Sequence, residues 1–201
     1  MLMKMYWVFI TLVLHTQYDL QLPIRTSGHS VKEIHLTAIG QFGLMRKPRP
    51  TVPAHFHTGI DIKRPGKNYT DEPIFPITGG TVISKRDDGA YAQLIIEHEI
   101  NNTRFWTVYE HIAGIKVKAG QRVAPAESIA RFMNKAELDK YGWQFDHVHF
   151  EVLKVAPVKL RHDPVKPERN FASHSLTCFT KQDLDRCFYH PLEFLKSKLK
   201  N

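Results

Sequence analysis

Short apolar stretches broken at close intervals by Gly, Pro, Asn and Asp run along most of the chain. Residues 80–84, 92–98 and 104–111 are rich in β-branched and aromatic side chains, as half-buried strands are. Asp87-Asp88-Gly89 between the first two reads as a hairpin turn, and Asn101-Asn102 marks another turn before the third. Residues 34–39 read as a strand entering a turn at Gly40 and Gly43, and residues 117–123 as a further strand. His147-Val148-His149-Phe150-Glu151 alternates, so a strand there sends His147, His149 and Glu151 to one face and Val148 and Phe150 to the other. Helices are expected at 134–141 and 191–199. Many short strands with frequent turns predict a mainly β fold, an antiparallel two-sheet sandwich or open barrel with few short helices. Residues 155–189 resist assignment. Pro157, Pro164 and Pro167 interrupt them, and they read as a long surface excursion, functional or mobile as such loops often are.

Composition narrows the picture. The 201 residues fit one domain with a sizeable core, and the 42% apolar share is ordinary for a globular protein. A formal net charge of +8 favours an anionic partner such as nucleic acid, a membrane surface or a wall polymer, or marks nothing more than a basic surface. Basic residues are scattered, as in Lys63-Arg64, Lys85-Arg86 and Lys196-Ser197-Lys198, and no nucleic-acid motif accompanies them, so nucleic acid is not expected. Lys4 precedes a short apolar run ending at Leu14, which gives residues 1–20 the look of a signal peptide. A small-residue cleavage site is missing, which leaves an uncleaved signal anchor, or a buried first strand, as alternatives. Export is the expectation, to the periplasm, the cell envelope or the medium. In an oxidising compartment Cys178 and Cys187 could close a small loop, worth roughly 2–3 kcal/mol, the alternative being two reduced thiols.

The chemistry lies in a split histidine constellation. His57-Thr58-Gly59-Ile60-Asp61 sits in the first third of the chain and the His147–Glu151 stretch much later. Two imidazoles and a carboxylate drawn from both make a set that suits Zn²⁺ with a fourth position left open, as hydrolysis requires. Gly59 lets the backbone turn between candidate ligands, while Ile60 and Ile62 can anchor the segment in the core. His111 ends a predicted strand and supplies a third element. Each histidine alone carries little weight, since His55-Phe56-His57 is a second His-x-His in the same chain. The order of the elements is more specific than any one of them.

That order resembles the lysostaphin-type (LytM-domain) zinc endopeptidases, which cut peptidoglycan cross-links. Gly40-Gln41-Phe42-Gly43-Leu44-Met45-Arg46 looks like the family's FGxR entry, and His57 to Asp61 like its HxGxD. Pro76-Ile77-Thr78-Gly79-Gly80-Thr81-Val82 is similar to its Gly-bearing strand pair, Tyr109-Glu110-His111-Ile112 to YxHL, and Val117 through Val123 to VxxGQxV. His147-Val148-His149-Phe150-Glu151 resembles HLHFE, and His190-Pro191-Leu192-Glu193-Phe194-Leu195 the closing segment. The resemblance implies zinc on His57, Asp61 and His149, with His111 and His147 serving the reacting water and the developing oxyanion. It implies a lysostaphin-type fold over residues 21–201, with 155–189 as an addition, and the peptide cross-links of the bacterial wall as substrate. A membrane would be met only through an N-terminal anchor. A non-catalytic wall-binding or regulatory relative, or a zinc peptidase acting on other peptides, are the alternatives. One stretch departs from the family pattern: residues 134–146 replace a Gly- and Ser-rich turn with bulkier side chains. There Trp143 and Phe145 either line a subsite or fill the core, and Asp146 either orients His147 or caps a turn.

Overall fold

The computed structural model describes residues 20–199. The leader expected over 1–20 lies, apart from Leu20, outside the described residues, within which no helix is long and apolar enough to cross a membrane. In chain order the strands are β1 (Met45–Arg46), β2 (His55–Phe56), β3 (Ile60–Lys63), β4 (Pro73–Ile74), β5 (Gly80–Arg86), β6 (Gln93–Ile100) and β7 (Thr103–Glu110). There follow β8 (Ile112–Ala113), β9 (Arg122–Val123), β10 (Ala130–Phe132), β11 (His147–Leu153), β12 (Val158–Lys159), β13 (Phe171–Ala172) and β14 (Phe188–Tyr189). Among the described residues three short α-helices complete the set: α1 (Lys135–Tyr141), α2 (Lys181–Cys187) and α3 (Pro191–Lys198).

The expected mainly β, antiparallel architecture is what the chain adopts, two larger sheets accompanied by the two-stranded ribbons β1-β2 and β12-β13. A seven-stranded antiparallel sheet runs β14-β11-β7-β6-β5-β9, with β3 also paired to β11. Because β7 occupies one edge of β11 from His149 to Leu153, β3 and β14 must follow one another along the other edge. A smaller sheet, β4-β10-β8, packs against it. Between the two lies the main core, where Ile74, Ile112 and Phe132 of the small sheet meet Leu94, Ile96, Tyr109, Val148 and Phe150 of the large one. The β6–β7 hairpin turns on Asn101 and Asn102, whose φ angles of 50° and 60° are the left-handed pair that a tight hairpin requires. The two expected helices form as α1, which begins with a capping box between Asn134 and Glu137, and α3, which has Pro191 in its first turn.

Three expectations change. Residues 34–39 form no strand: Leu36 makes a single bridge to Ile62 before the chain turns at Ala38-Ile39, too short a contact for a ladder. Of 117–123 only β9 is extended, because Gly120 turns at φ 86° to give its N–H to the Val82 carbonyl. The 155–189 excursion is the largest change. Instead of lying loose on the surface, it covers the face of the large sheet opposite the main core. There Cys178, Leu184, Cys187 and Phe188 pack on Ile95, Trp106, Val108 and Leu153. The excursion contains the unexpected α2, capped by Thr180 through the Asp183 N–H. Cys178 and Cys187 are free, buried thiols within this cluster.

Candidate metal centre

Strand register brings the first two candidates together. β3 pairs with β11 so that Asp61 lies directly across from His149. Ile60 and Ile62 on β3, like Val148 and Phe150 on β11, point into the main core, so Asp61, His147 and His149 share the other face. His57 precedes β3 and returns over the same face through Gly59. A Cβ at Gly59 would lie 2.4 Å from the Phe150 carbonyl oxygen and 2.9 Å from the His149 ring, so only glycine lets this loop approach β11.

The three donor atoms form a closed triangle. His57 Nε2 lies 3.0 Å from Asp61 Oδ1 and 3.0 Å from His149 Nδ1, and His149 Nδ1 lies 3.0 Å from Asp61 Oδ1. Tetrahedral bonds of about 2.0–2.1 Å need donors roughly 3.3 Å apart, so a small outward shift of these side chains would admit a zinc-sized ion. The remaining polar atoms are already committed. His57 Nδ1 donates to the Gln41 carbonyl at 2.8 Å, His149 Nε2 donates to Glu151 Oε1 at 3.0 Å, and Asp61 Oδ2 accepts from Arg46 Nη2 at 2.7 Å. Such outer partners fix each ring's tautomer and turn its free lone pair to the centre. This is the fit expected of a metal site, and it involves three buried side chains.

His111 and His147 complete the cluster. His111 sits where the chain passes from β7 into β8, at φ 62°, a left-handed conformation that costs a non-glycine residue about 1–3 kcal/mol. Its Nδ1 donates to the Ala90 carbonyl at 2.6 Å, and its ring centroid lies 5.0 Å from that of His147 and 6.4 Å from that of His149. His147 Nε2 is 3.6 Å from Asp61 Oδ1. The structure thus gathers His57, Asp61, His111, His147 and His149 in one place. His55, by contrast, is held apart by a 2.8 Å bond from its Nδ1 to the Pro53 carbonyl.

Burial and mutual charge set the protonation of the metal-free cluster. Burial pulls His111 down to about 3, helped by His147 beside it, and burial also lowers His57 and His147. Burial opposes charge on His149 too, but its hydrogen bonds to Asp61 and Glu151 prevail and raise it to about 10. For Asp61, burial alone would raise the carboxyl, but the bonds from His149 and His57 hold it well below the usual range. The metal-free centre is therefore one imidazolium held between two carboxylates, flanked by neutral imidazoles.

The 134–146 stretch resolves into separate parts. Trp143 is 49% exposed, its Nε1 donating to Asp139, and it fills no core. Phe145 packs edge-on to Tyr91 at 5.6 Å and against His111 at 4.9 Å, forming an aromatic wall beside the cluster. Asp146 closes the Trp143–Phe145 turn with its backbone N–H to the Trp143 carbonyl at 3.1 Å, while its side chain, instead of orienting His147, pairs with the buried Arg64 guanidinium at 2.8 Å. Glu151 acquires a part that sequence alone does not assign it. Its placement on the face of His147 and His149 is the signal, but its donors Thr58 and Ser173 carry none.

The sequence profile of peptidase family M23 matches residues 55–167, more than half the chain and all five clustered residues. Among solved structures, the antimicrobial peptidase lysostaphin from Staphylococcus simulans superposes with a TM-score of 0.50 at 17% identity, over 84% of this chain and 52% of that one. A zinc containing peptidase from Vibrio cholerae shares 26% identity over 67% of this chain at a TM-score of 0.46, and the chain spans 37% of its length. No curated protein sequence matches significantly.

Proposed function

This chain belongs to peptidase family M23, and on that premise we propose that it is a zinc-dependent endopeptidase hydrolysing the peptide cross-links of bacterial peptidoglycan. The observation that carries the reading is the triangle of His57, Asp61 and His149, with every other polar atom of the three tied back. Zinc held there would supply Lewis acidity, polarising the scissile carbonyl and making water a usable nucleophile near neutral pH.

The chain's own groups do the rest. His111 and His147 are neutral at pH 7 because burial disfavours their charge, so each can accept a proton. The Ala90 carbonyl keeps the His111 proton on Nδ1 and leaves the Nε2 lone pair as the basic site. One imidazole accepts the proton of the attacking water and returns it to the leaving amine. The imidazolium so formed faces, while it holds that proton, the negative charge that develops on the carbonyl oxygen, and the second neutral imidazole is placed to take the water's other proton on its way to the amine. Tyr91 and Phe145 wall the cluster on the His111 side. The same wall supports a second reading, a zinc peptidase acting on non-wall peptides whose side chains suit an aromatic surface.

In the proposed setting residues 1–20 direct export as a signal peptide or anchor, residues 21–201 form the peptidase domain, and the net charge of +8 holds it on anionic wall polymer. The test is mass spectrometry of muropeptides after the zinc-loaded chain meets purified peptidoglycan, with His149→Ala alongside. Loss of cross-linked dimers, abolished in the variant, is expected. Intact dimers from the loaded chain, with protein substrates cut, would replace the wall by the second reading. Intact dimers with no peptide cut at all would leave a non-catalytic binder.

A further inference from the structure

Glu151 is the most enclosed carboxylate of the cluster, 1% exposed, and it accepts at both oxygens. Oε1 takes the His149 Nε2 proton at 3.0 Å and the Thr58 hydroxyl; Oε2 takes the hydroxyl of Ser173. Thr58 and His149 belong to the segments that carry the candidate ligands. Ser173 does not. It comes from the 155–189 excursion, beyond the residues that match the family.

The excursion is pinned on either side of that serine. Before it, the Asn170 and Phe171 N–H groups both donate to the buried Ser84 hydroxyl at 3.1 Å. After it, the Cys178 carbonyl accepts the Phe56 N–H at 2.9 Å, one residue from His57. One segment therefore reaches behind both histidines of the triangle. A carboxylate held at one oxygen alone can rotate about its last torsion. Held at both, it presents one fixed edge to His149 Nε2, which keeps the proton there and turns Nδ1 to the centre. Without the serine, Oε2 would be a buried charged acceptor lacking a partner, and regaining one would require Glu151 to turn away from His149.

We propose that the 155–189 segment is a working part of the metal centre, with Ser173 a positioning residue that fixes Glu151 and through it His149. The inference rests on His149 being a metal ligand, as in the function proposed above. Its test measures zinc affinity of the full-length chain by competition with a chelator, for the wild type, Ser173→Ala and Ser173→Thr. Proton NMR of the His149 Nε2–H in the zinc-loaded chains, where Nδ1 is turned to the metal, is the second readout. Ser173→Ala is expected to bind zinc about 10–100-fold more weakly and, at saturating zinc, to lose the slowly exchanging Nε2–H signal, while Ser173→Thr, which keeps the hydroxyl, restores both. Should Ser173→Ala not fold, Ser173→Cys keeps the volume with a weaker donor and is expected to fall between the two. A merely structural serine would lower the melting temperature and leave both zinc affinity and the Nε2–H signal unchanged, which overturns the inference alone. A wild type that takes up no zinc overturns the inference and the proposed function together.

Discussion

The two faces of β11 are buried equally and by opposite means. On one, Val148, Phe150 and Val152 join the main core; on the other, His147, His149 and Glu151 are surrounded by groups that answer their polarity. An apolar face tolerates loss of any one side chain at the cost of a cavity. A polar buried face has no such reserve, since each removal leaves a partner desolvated and unpaired. The contrast teaches that the cluster is held by mutual satisfaction, and that a bound metal would take over a role the protons fill in its absence.

Several substitutions can break or sharpen that contrast. The largest effect is expected from His149→Ala on the polar face: no zinc retained by metal analysis, and turnover at background. Next come His111→Ala and His147→Ala, which keep zinc but lose about 10²–10⁴-fold in turnover; full activity in either removes it from the proposed chemistry. On the apolar face Phe150→Ala should cost about 3–5 kcal/mol in urea unfolding of the metal-free chain while the folded protein still binds one zinc. A Phe150→Ala chain that folds normally but cannot hold zinc would show that the faces are not independent.

The smallest effect is a proton. His149 is held up at about 10 in the metal-free chain, so zinc arriving at pH 7.5 must displace one proton. Calorimetry in buffers of different ionisation enthalpy should detect about one proton released, and zinc affinity should rise with pH until about 10. The linkage to stability runs the other way. A raised folded-state pKa means the His149 imidazolium stabilises the metal-free fold fully below its ordinary value near 6.5, and that contribution is lost as pH rises through about 10. Metal-free stability that is flat from pH 6 to 10 would contradict the charged triad.

Much of this was legible in the sequence where it has a period. The alternation of His147 through Glu151 foretells which side chains share a face, and the helix expected over 134–141 is α1. Asn101-Asn102 foretells its hairpin because few other residues adopt left-handed φ twice in succession. What eluded pattern has none. Thr180 followed by Asp183 is a readable cap for α2, but the helix is a short one in a Pro-interrupted stretch. Ser173 meets Glu151 because the β12–β13 hairpin folds back over the sheet, a long-range event that no local spacing records. Asp146 looks like a neighbour for His147 until Arg64, far away in sequence, claims it.

His111 stands at the joint where β7 of the large sheet becomes β8 of the small one, whereas Asp61 and His149 both lie within the large sheet. Its distance from the other histidines is therefore a gauge of how the two sheets sit against each other. Loosening of the core between them, however remote from the cluster, would register first as lost turnover, with metal affinity the last property to notice.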